Sequence, residues 1–483
     1  MSADFIPLMG YAPDADTSIL GVLTNCSGVV PSTKGMKGAP SPVSTPLAAL
    51  ASTCQGACVV TKLDGTSRFF AGMSSQINEA GVSTWSNVSA TVTALANTSR
   101  WRFAQQGNVT LAVNNTSTIC ASTGSAFTVL GSAPVAALVE VVNQFVIVAN
   151  TSVSTQTWQC SALGDYTNWT NSIATQAVSG TLQGSPGPIT GLRRFGDAIV
   201  AYKKSSMYYG TYVGAPIVWN FVQIPGEAGA MSQEAIVNIG TAENPKHIFM
   251  GADDFYIYDG SRPVPIGNNR IKVKVFGEIL QSRYYACAAL HDKVKGLVYF
   301  YYPVSDSVFP DHCVVYNYRT DRWGVDDRQI EATTEYVSGS ITYDTLGNSY
   351  ATYDALPNIP YDLAFLNASS AQPAIFKTDH KAYTLTGAAG STSFTTGDYG
   401  NDEKFITVRR IRPRYLTAPT SAAITSYYRN NLGDSLTSGG SANLVNGSFD
   451  FLRDARWHRF QIDHVGDWEA PGFSYDAEES GRE

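Results

Sequence analysis

Gly164-Asp165-Tyr166-Thr167-Asn168-Trp169 is the clearest copy of a motif that recurs along this chain of 483 residues. In each copy, a turn that contains or adjoins a glycine lies next to a large aromatic residue. This aromatic residue begins a short run of residues with the pattern of a strand. The aromatic residues of successive copies are 42, 42, 50 and 104 residues apart, so the last interval leaves room for one more copy near Arg262-Pro263-Val264. The other copies are Gly81-Val82-Ser83-Thr84-Trp85, Gly124-Ser125-Ala126-Phe127, Gly214-Ala215-Pro216-Ile217-Val218-Trp219 and Thr320-Asp321-Arg322-Trp323-Gly324.

The residues between these copies have the pattern of short strands. Val59 to Leu63, Phe145 to Ala149 and Leu297 to Tyr302 are alternating or apolar runs bounded by turn-forming residues. Helical spacing of apolar residues is almost nowhere sustained for three turns. Four short strands and one large aromatic residue every 42 to 55 residues are typical of a β-propeller blade.

The sequence therefore predicts an all-β protein whose centre, residues 51–390, is a β-propeller of six or seven blades. We expect each repeated tryptophan to pack as a wedge between blades. The seventh blade would contain Ala374-Ile375-Phe376-Lys377 and Ala382-Tyr383-Thr384-Leu385. Stacked β-sandwiches are an alternative, because they also give short strands.

The two flanking regions have different compositions. Residues 1–50 are rich in proline, which disfavours both helices and central strands, so we expect an extended arm. Residues 391–483 lose the repeat spacing and predict a small C-terminal β-domain. Its end, from Glu469 to Glu483, is acidic, and we expect this tail to be frayed.

Composition excludes several classes of protein. The chain has 33 basic and 40 acidic residues, a formal net charge of −7, which argues against a general nucleic-acid binder. Hydrophobic residues make up 44%, which excludes disorder, and charged residues only 15%, so the surface is largely polar and uncharged. We find no signal peptide and no apolar run of about eighteen residues, and we expect no membrane insertion. The seven cysteines are expected to be reduced, in a soluble protein.

The motifs that would indicate catalysis are incomplete. Gly433-Asp434-Ser435-Leu436 matches the GDSL motif of serine esterases, but it lies in a β context without the correctly spaced Asp-x-x-His. A sialidase-like propeller would need two carboxylates facing one pocket, or a tyrosine nucleophile with an arginine clamp. The candidate carboxylates lie where we expect turns. The carboxylates that could serve as calcium ligands also lie in expected turns and lack the spacing of a calcium loop. The sequence thus predicts no catalytic, cofactor-binding or metal-binding residues and no enzyme activity; the carboxylates weighed were Asp253, Asp254, Asp326, Asp327 and Glu335.

One basic cluster is a candidate interface. In a strand through Arg409 to Arg414, side chains alternate, so Arg410, Arg412 and Arg414 would share one face, with Arg409 and Ile411 on the other. Three guanidinium groups on one face repel each other unless a negative group lies opposite. That group could be an acidic loop of the same chain, a second subunit or DNA phosphate; the loop candidates are Asp398, Asp402 and Glu403.

Several motifs resemble those of short-tailed bacteriophage tail proteins. The opening Asp4-Phe5-Ile6-Pro7-Leu8-Met9-Gly10 is similar to the start of these proteins. Further motifs follow in the order found in the packaged-DNA stabilisation protein, the tail hub or nozzle family. They are Trp158 to Tyr166, Phe195 to Tyr202, Ser206 to Tyr209, Pro225 to Gly229, Asp254 to Ser261 and Val314 to Tyr318.

The resemblance implies a structural protein of the virion tail, made in the cytoplasm of the bacterial host. It would form a homo-oligomeric ring, usually a hexamer, below the portal and its adaptor. Such a ring retains the packaged DNA, forms part of the ejection channel for double-stranded DNA, and docks tailspikes or tail fibres and a plug or needle. The alternative that the residues leave open is a propeller that binds a glycan or receptor without catalysis.

Overall fold

The structure, a computed structural model, describes residues 4–90, 94–304, 308–337 and 371–482. Within these ranges the N-terminal segment contains six short strands, and residues 272–286 contain an α-helix (α1, Lys272–Glu278) and a 3₁₀ helix (Gln281–Ala286). No helix in the described ranges is long and apolar enough to cross a membrane. The six strands are β1 (Asp4–Pro7), β2 (Gly10–Tyr11), β3 (Val22–Ser27), β4 (Val29–Pro31), β5 (Met36–Gly38) and β6 (Ser41–Ser44).

Seven blades follow in the described part of the chain; blades 1 to 6 are each built on four consecutive antiparallel strands, and blade 7 on three consecutive strands and one from the N-terminal segment. Blades 1 to 3 are β7 (Ala57–Thr61), β8 (Ser67–Gly72), β9 (Ile77–Ala80), β10 (Trp85–Asn87); β11 (Arg102–Gln106), β12 (Val109–Val113), β13 (Cys120–Ser122), β14 (Thr128–Val129); and β15 (Ala136–Val142), β16 (Phe145–Thr151), β17 (Thr157–Cys160), β18 (Ser179–Thr181). Blades 4 to 6 are β19 (Gly191–Phe195), β20 (Ala198–Tyr202), β21 (Met207–Gly214), β22 (Val218–Gln223); β23 (Ile236–Asn238), β24 (His247–Met250), β25 (Phe255–Tyr258), β26 (Val264–Pro265); and β27 (Ala288–Asp292), β28 (Leu297–Tyr302), β29 (His312–Asn317), β30 (Arg322–Val325). Blade 7 is β31 (Ala332–Tyr336), β32 (Gln372–Phe376) and β33 (Ala382–Gly387), completed by β6.

The blades form a closed ring. The first strand of each blade contacts the first strand of the next, and β31 of blade 7 contacts β7 of blade 1. Buried apolar clusters lie between neighbouring blades; the one that joins blades 7 and 1 contains Phe376, Phe69 and Leu50. The all-β propeller prediction is therefore confirmed, with seven blades, and the residues predicted for the seventh lie in β32 and β33.

The repeated aromatic motif marks the outer part of the blades. Trp85, Trp219 and Trp323 lie in the fourth strands of blades 1, 4 and 6, and Phe127 directly precedes that of blade 2. Trp169 lies in the long connection before β18, which explains the irregular spacing. Trp169 and Trp219 pack in clusters that join blades 2 and 3 and blades 3 and 4, as the wedge prediction requires.

The N-terminal segment is part of both β-structures, which corrects the prediction of a separate arm without central strands. Strand β6 pairs with β33 and closes blade 7. Strand β4 lies between β30 and β5, so blade 6 continues outward. The prolines are compatible with these sheets because Pro7 and Pro31 end their strands and Pro42 lies in an outermost strand.

The C-terminal residues form a β-sandwich with the N-terminal strands. One sheet has the order β1-β42-β36-β39, and the other β2-β3-β34-β40-β37-β38, with β35 against β40. The acidic tail is not frayed: β42 is a central strand, and β41 pairs with β5 at the edge of the blade 6 sheet. These strands are β34 (Ser391–Thr396), β35 (Tyr399–Gly400), β36 (Lys404–Pro413), β37 (Ser421–Arg429), β38 (Thr437–Asn443), β39 (Phe449–Ala455), β40 (Trp457–Val465), β41 (Glu469–Ala470) and β42 (Gly472–Arg482).

Trp323 lies where the propeller meets the sandwich. Its ring is 4.5 Å from that of Tyr316 and 5.0 Å from that of Phe255 in blade 5. Its backbone contacts Gly10, where a Cβ atom would come within 3.0 Å of the Trp323 carbonyl oxygen, and Gly10 has a φ of +107°. Both constraints favour glycine at that position.

We predict that Trp323→Ala lowers the free energy of unfolding by about 3–5 kcal/mol, because it removes a large side chain that is only 1% exposed. Urea denaturation followed by circular dichroism measures the change. The control is Val82→Ala, whose side chain is 89% exposed, and it should leave the midpoint unchanged. Similar midpoints for Trp323→Ala and the wild type would contradict the packing role.

Candidate interaction surfaces

The predicted arginine cluster lies on β36 of the four-stranded sandwich sheet. Ile411 is buried, whereas Arg410, Arg412 and Arg414 are exposed, as the alternation predicted. Arg409 is also exposed, contrary to the prediction, because the register shifts between Val408 and Arg410 against both neighbouring strands. A bulge of this kind interrupts the alternation and turns an additional side chain outward.

The intrachain partners of this cluster differ from the acidic loops that the sequence indicated. Arg409 forms a 2.7 Å ion pair with Glu478 of β42, and Arg410 pairs with Asp450 of β39. The guanidinium of Arg414 lies 4.3 Å from the ring centre of Phe5, which is itself 39% exposed. The guanidinium group of Arg412 has no hydrogen-bond or ion-pair partner among the residues that the structure describes. The exposed face therefore combines one unpaired arginine with an arginine stacked on an aromatic ring.

The acidic residues expected opposite the cluster serve other groups. Asp398 is buried and accepts hydrogen bonds from Arg459 (2.7 and 3.0 Å), Arg429 (2.6 Å) and the Thr17 hydroxyl (2.6 Å). Asp402 accepts a 2.9 Å hydrogen bond from the Trp457 indole. Asp398 thus joins the N-terminal segment to β37 and β40, and it is a structural residue of the sandwich.

We predict that Asp398→Asn lowers the free energy of unfolding by about 3–5 kcal/mol, because two guanidinium groups lose their buried counter-ion. Thermal and urea denaturation measure the loss. Asp450→Asn, which disrupts the exposed pair with Arg410, serves as the control and should unfold like the wild type. Equal effects of the two substitutions would show that Asp398 does not hold the sandwich together.

A second surface lies inside the propeller. The inner strands line a cavity of about 490 Å³ on the ring axis. At one end, Arg102 of blade 2 forms a two-pronged ion pair with Glu234, which precedes blade 5; the N–O distances are 2.7 and 3.0 Å. Because these blades lie three positions apart in the ring, the pair spans the channel at the end where the inner strands begin. Exposed Lys293 and half-buried Glu335, 2.9 Å apart, lie with Arg194 toward the opposite end of the inner strands, and we refer to this cavity as the cup.

The charges in this cup are unevenly paired. Burial raises the pKa of Glu234, but Arg102 more than offsets this and the pKa lies below its ordinary value. Burial raises the pKa of Glu140 on the wall above its ordinary value, and the nearby charge of Arg193 offsets only part of this rise. Burial also lowers the pKa of His291 to about 4, so this side chain is neutral at pH 7. The cup is strongly polar but contains mainly fixed charges.

The carboxylates considered for catalysis are dispersed. Asp254 is buried 3.5 Å from Lys272, Asp326 pairs with Arg328 at 2.7 Å, and Asp327 accepts a hydrogen bond from the Cys313 amide. Asp253 lies 3.6 Å from Lys272, and only Glu335 of this group lines the cup. Among the described residues, no group of three or more His, Cys, Asp or Glu side chains is arranged to hold a metal ion.

Sequence reasoning missed the residues of the cup. None of its charged residues stands out in the sequence: Arg193 and Arg194 form only a short basic pair, and Arg100, Arg102 and Glu140 belong to no motif. Their signal was weak: a charged residue within or just before the first strand of a blade. The inner face of a strand cannot be assigned until the order of strands within each blade is known.

No protein-family model matches the chain, and no curated protein matches it in sequence. Similar solved structures include YCF48 bound to a D1 peptide, at 12% identity and a TM-score of 0.34, over 62% of this chain and 86% of that one. YCF48 from Cyanidioschyzon merolae has 11% identity and a TM-score of 0.34, over 62% and 92%. A chain of a mitotic checkpoint complex has 7% identity and a TM-score of 0.40, over 72% and 92%. At these scores no function is carried over, and the seven blades are assigned from the sheets themselves.

Proposed function

We propose that this chain is a structural subunit of a bacteriophage tail. Several copies form a ring, the tail hub or nozzle, below the portal and adaptor. The ring retains packaged DNA, contributes to the ejection channel and docks tailspikes or fibres. The chain has no catalytic role in this proposal.

The order of the tail-hub-like motifs carries this proposal. The motif at Trp158 begins within β17, that at Phe195 spans the β19–β20 hairpin, and that at Pro225 connects blades 4 and 5. The motifs at Asp254 and Val314 contain β25 and most of β29. The motifs thus follow the chain through four successive blades, from blade 3 to blade 6, instead of collecting at one site. This distribution favours a resemblance to tail hub proteins over most of the propeller and not only at one local site.

The connection between the two β-structures supports a mechanical role. Blade 6 continues through β4 and β5 to β41, so one sheet of seven strands contains residues from both ends of the chain. One buried cluster also runs from blades 5 and 6 into the sandwich, through Phe300, Trp323 and Phe460. Backbone pairing and a shared core resist movement of the propeller relative to the sandwich. A ring subunit of a tail would need this rigidity.

In this proposal the DNA conduit lies outside the single propeller. The Arg102–Glu234 pair crosses the propeller channel, so a DNA passage would run between copies of the chain and not through one propeller. The net charge of −7 agrees with a passage that does not retain DNA, because each phosphate neutralised by the protein strengthens binding. Ring formation is therefore the central requirement of this function.

We predict a closed ring with its lumen coaxial with the phage tail. Electron microscopy of the purified protein over a range of concentrations, together with the assembled particle, measures the rotational symmetry. The symmetry we expect is sixfold. A protein that stays monomeric and is missing from the tail axis would contradict the proposal.

We place one subunit contact on the Arg412 face, where an unpaired arginine lies beside the Phe5–Arg414 stack. Arg412→Glu should reduce incorporation into tails at least tenfold while leaving the thermal midpoint unchanged, because no intrachain ion pair is broken. Quantitative electrophoresis of purified particles measures incorporation. The control is Arg262→Glu, an exposed arginine next to the outer strand of blade 5. Normal incorporation of the Arg412 variant would exclude this face as an assembly contact.

A further inference from the structure

We propose that the cup on the propeller axis binds the carboxylate group of a small ligand through Arg193 and Arg100. This site is separate from the assembly surface and does not depend on the tail-hub proposal.

Two guanidinium groups in the cup have no carboxylate within ion-pair distance among the described residues. Arg100 is 8% exposed and its Nη1 donates to the carbonyl oxygens of Asn97 and Ser99, at 2.8 and 3.2 Å. Arg193 donates through Nη2 to the Gln233 carbonyl at 3.0 Å, while its buried Nε–H has no partner in the described structure. Carbonyl oxygens satisfy some of the N–H groups, while the nearest acidic side chains, Glu234 for Arg100 and Glu140 for Arg193, act from beyond ion-pair distance.

The other cations in the cup are already paired. Arg102 is bound by Glu234 and Lys293 by Glu335, while Glu331 on the lining accepts a 2.6 Å hydrogen bond from His380, outside the lining. Glu140 is the one remaining carboxylate of the lining, and it accepts a 3.1 Å hydrogen bond from its neighbouring amide. The lining as a whole holds five cationic side chains and four carboxylates, a formal excess of one positive charge that a monoanion would balance; they are Arg100, Arg102, Arg193, Arg194 and Lys293, and Glu140, Glu234, Glu331 and Glu335.

A carboxylate fits this arrangement better than a larger anion. Guanidinium groups bind carboxylates in a planar, two-pronged geometry, and burial strengthens such charge-assisted hydrogen bonds. A doubly charged phosphate would exceed the single uncompensated charge and would lie close to Glu140. The volume of about 490 Å³ is within the range of small-molecule sites, and the ring of Tyr285, 6.0 Å from the Arg100 guanidinium, offers an apolar surface for the rest of the ligand.

Two kinds of molecule present such a group: an acidic saccharide and the C-terminus of a peptide. The experiment therefore uses two matched pairs, galacturonate with galactose and N-acetyl-alanine with its amide. Titration calorimetry on the full chain at low salt measures binding. We expect the charged member of at least one pair to bind at least tenfold more tightly than its neutral partner, and the pair that does so identifies the source.

Variants locate the site. Arg193→Gln should weaken binding of the charged probe at least tenfold, and Arg262→Gln, an exposed arginine outside the lining, should change it less than twofold. If Arg193→Gln does not fold, Arg100→Gln and competition by acetate in the wild type replace it. The proposal is wrong if neither charged probe binds better than its neutral partner, or if a folded Arg193→Gln variant binds like the wild type. Failure here would leave ring formation unaffected, so the two proposals are tested separately.

Discussion

The pairing of β6 with β33 is the contact on which the architecture depends. It brings residues 41–44 to residues 382–387 and gives blade 7 its fourth strand, so the ring closes on strands from both ends of the propeller region. The entropic cost of such a long loop grows only slowly with its length. Closure in return completes the apolar contact between blades 7 and 1 and leaves every inner strand with two neighbours.

The same closure explains why the sandwich is built from both termini. Once β6 is fixed on blade 7, the residues before it lie beside blade 6, where β4 and β5 extend the sheet. Strands β1 to β3 then reach β42 and β34, and β41 returns to β5. Both terminal segments are thus held by backbone hydrogen bonds, with β42 in a central position and β1 at the edge of the sheet beside it. An acidic strand is tolerated there because Arg409 and Lys404 on its neighbour pair with Glu478 and Glu479.

The sequence could predict the blades because their signal is local. A turn, an aromatic wedge and short alternating strands recur in each unit, and Trp219 and Trp169 pack where this logic places them. It could not predict the partners of β4 or β42, since those depend on pairing between residues hundreds of positions apart. The bulge at Arg409 escaped for a related reason: a shift of register is visible only against the neighbouring strands. The cup could not be predicted either, because its lining combines single residues from separate blades.

The two candidate surfaces obey different physical rules. On the β36 face, water screens the charges, so pairs such as Arg410 with Asp450 contribute little to folding and can be exchanged for contacts with another molecule. Inside the cup, each charge has been partly removed from water, and an uncompensated guanidinium there carries a desolvation cost. The fold accepts that cost at Arg100 and Arg193 although apolar residues at the same inner positions would avoid it. Such retention of partly desolvated charge without an ion-pair partner is more characteristic of a binding site than of a structural core, whereas the exposed face has the exchangeable polar contacts of an assembly surface.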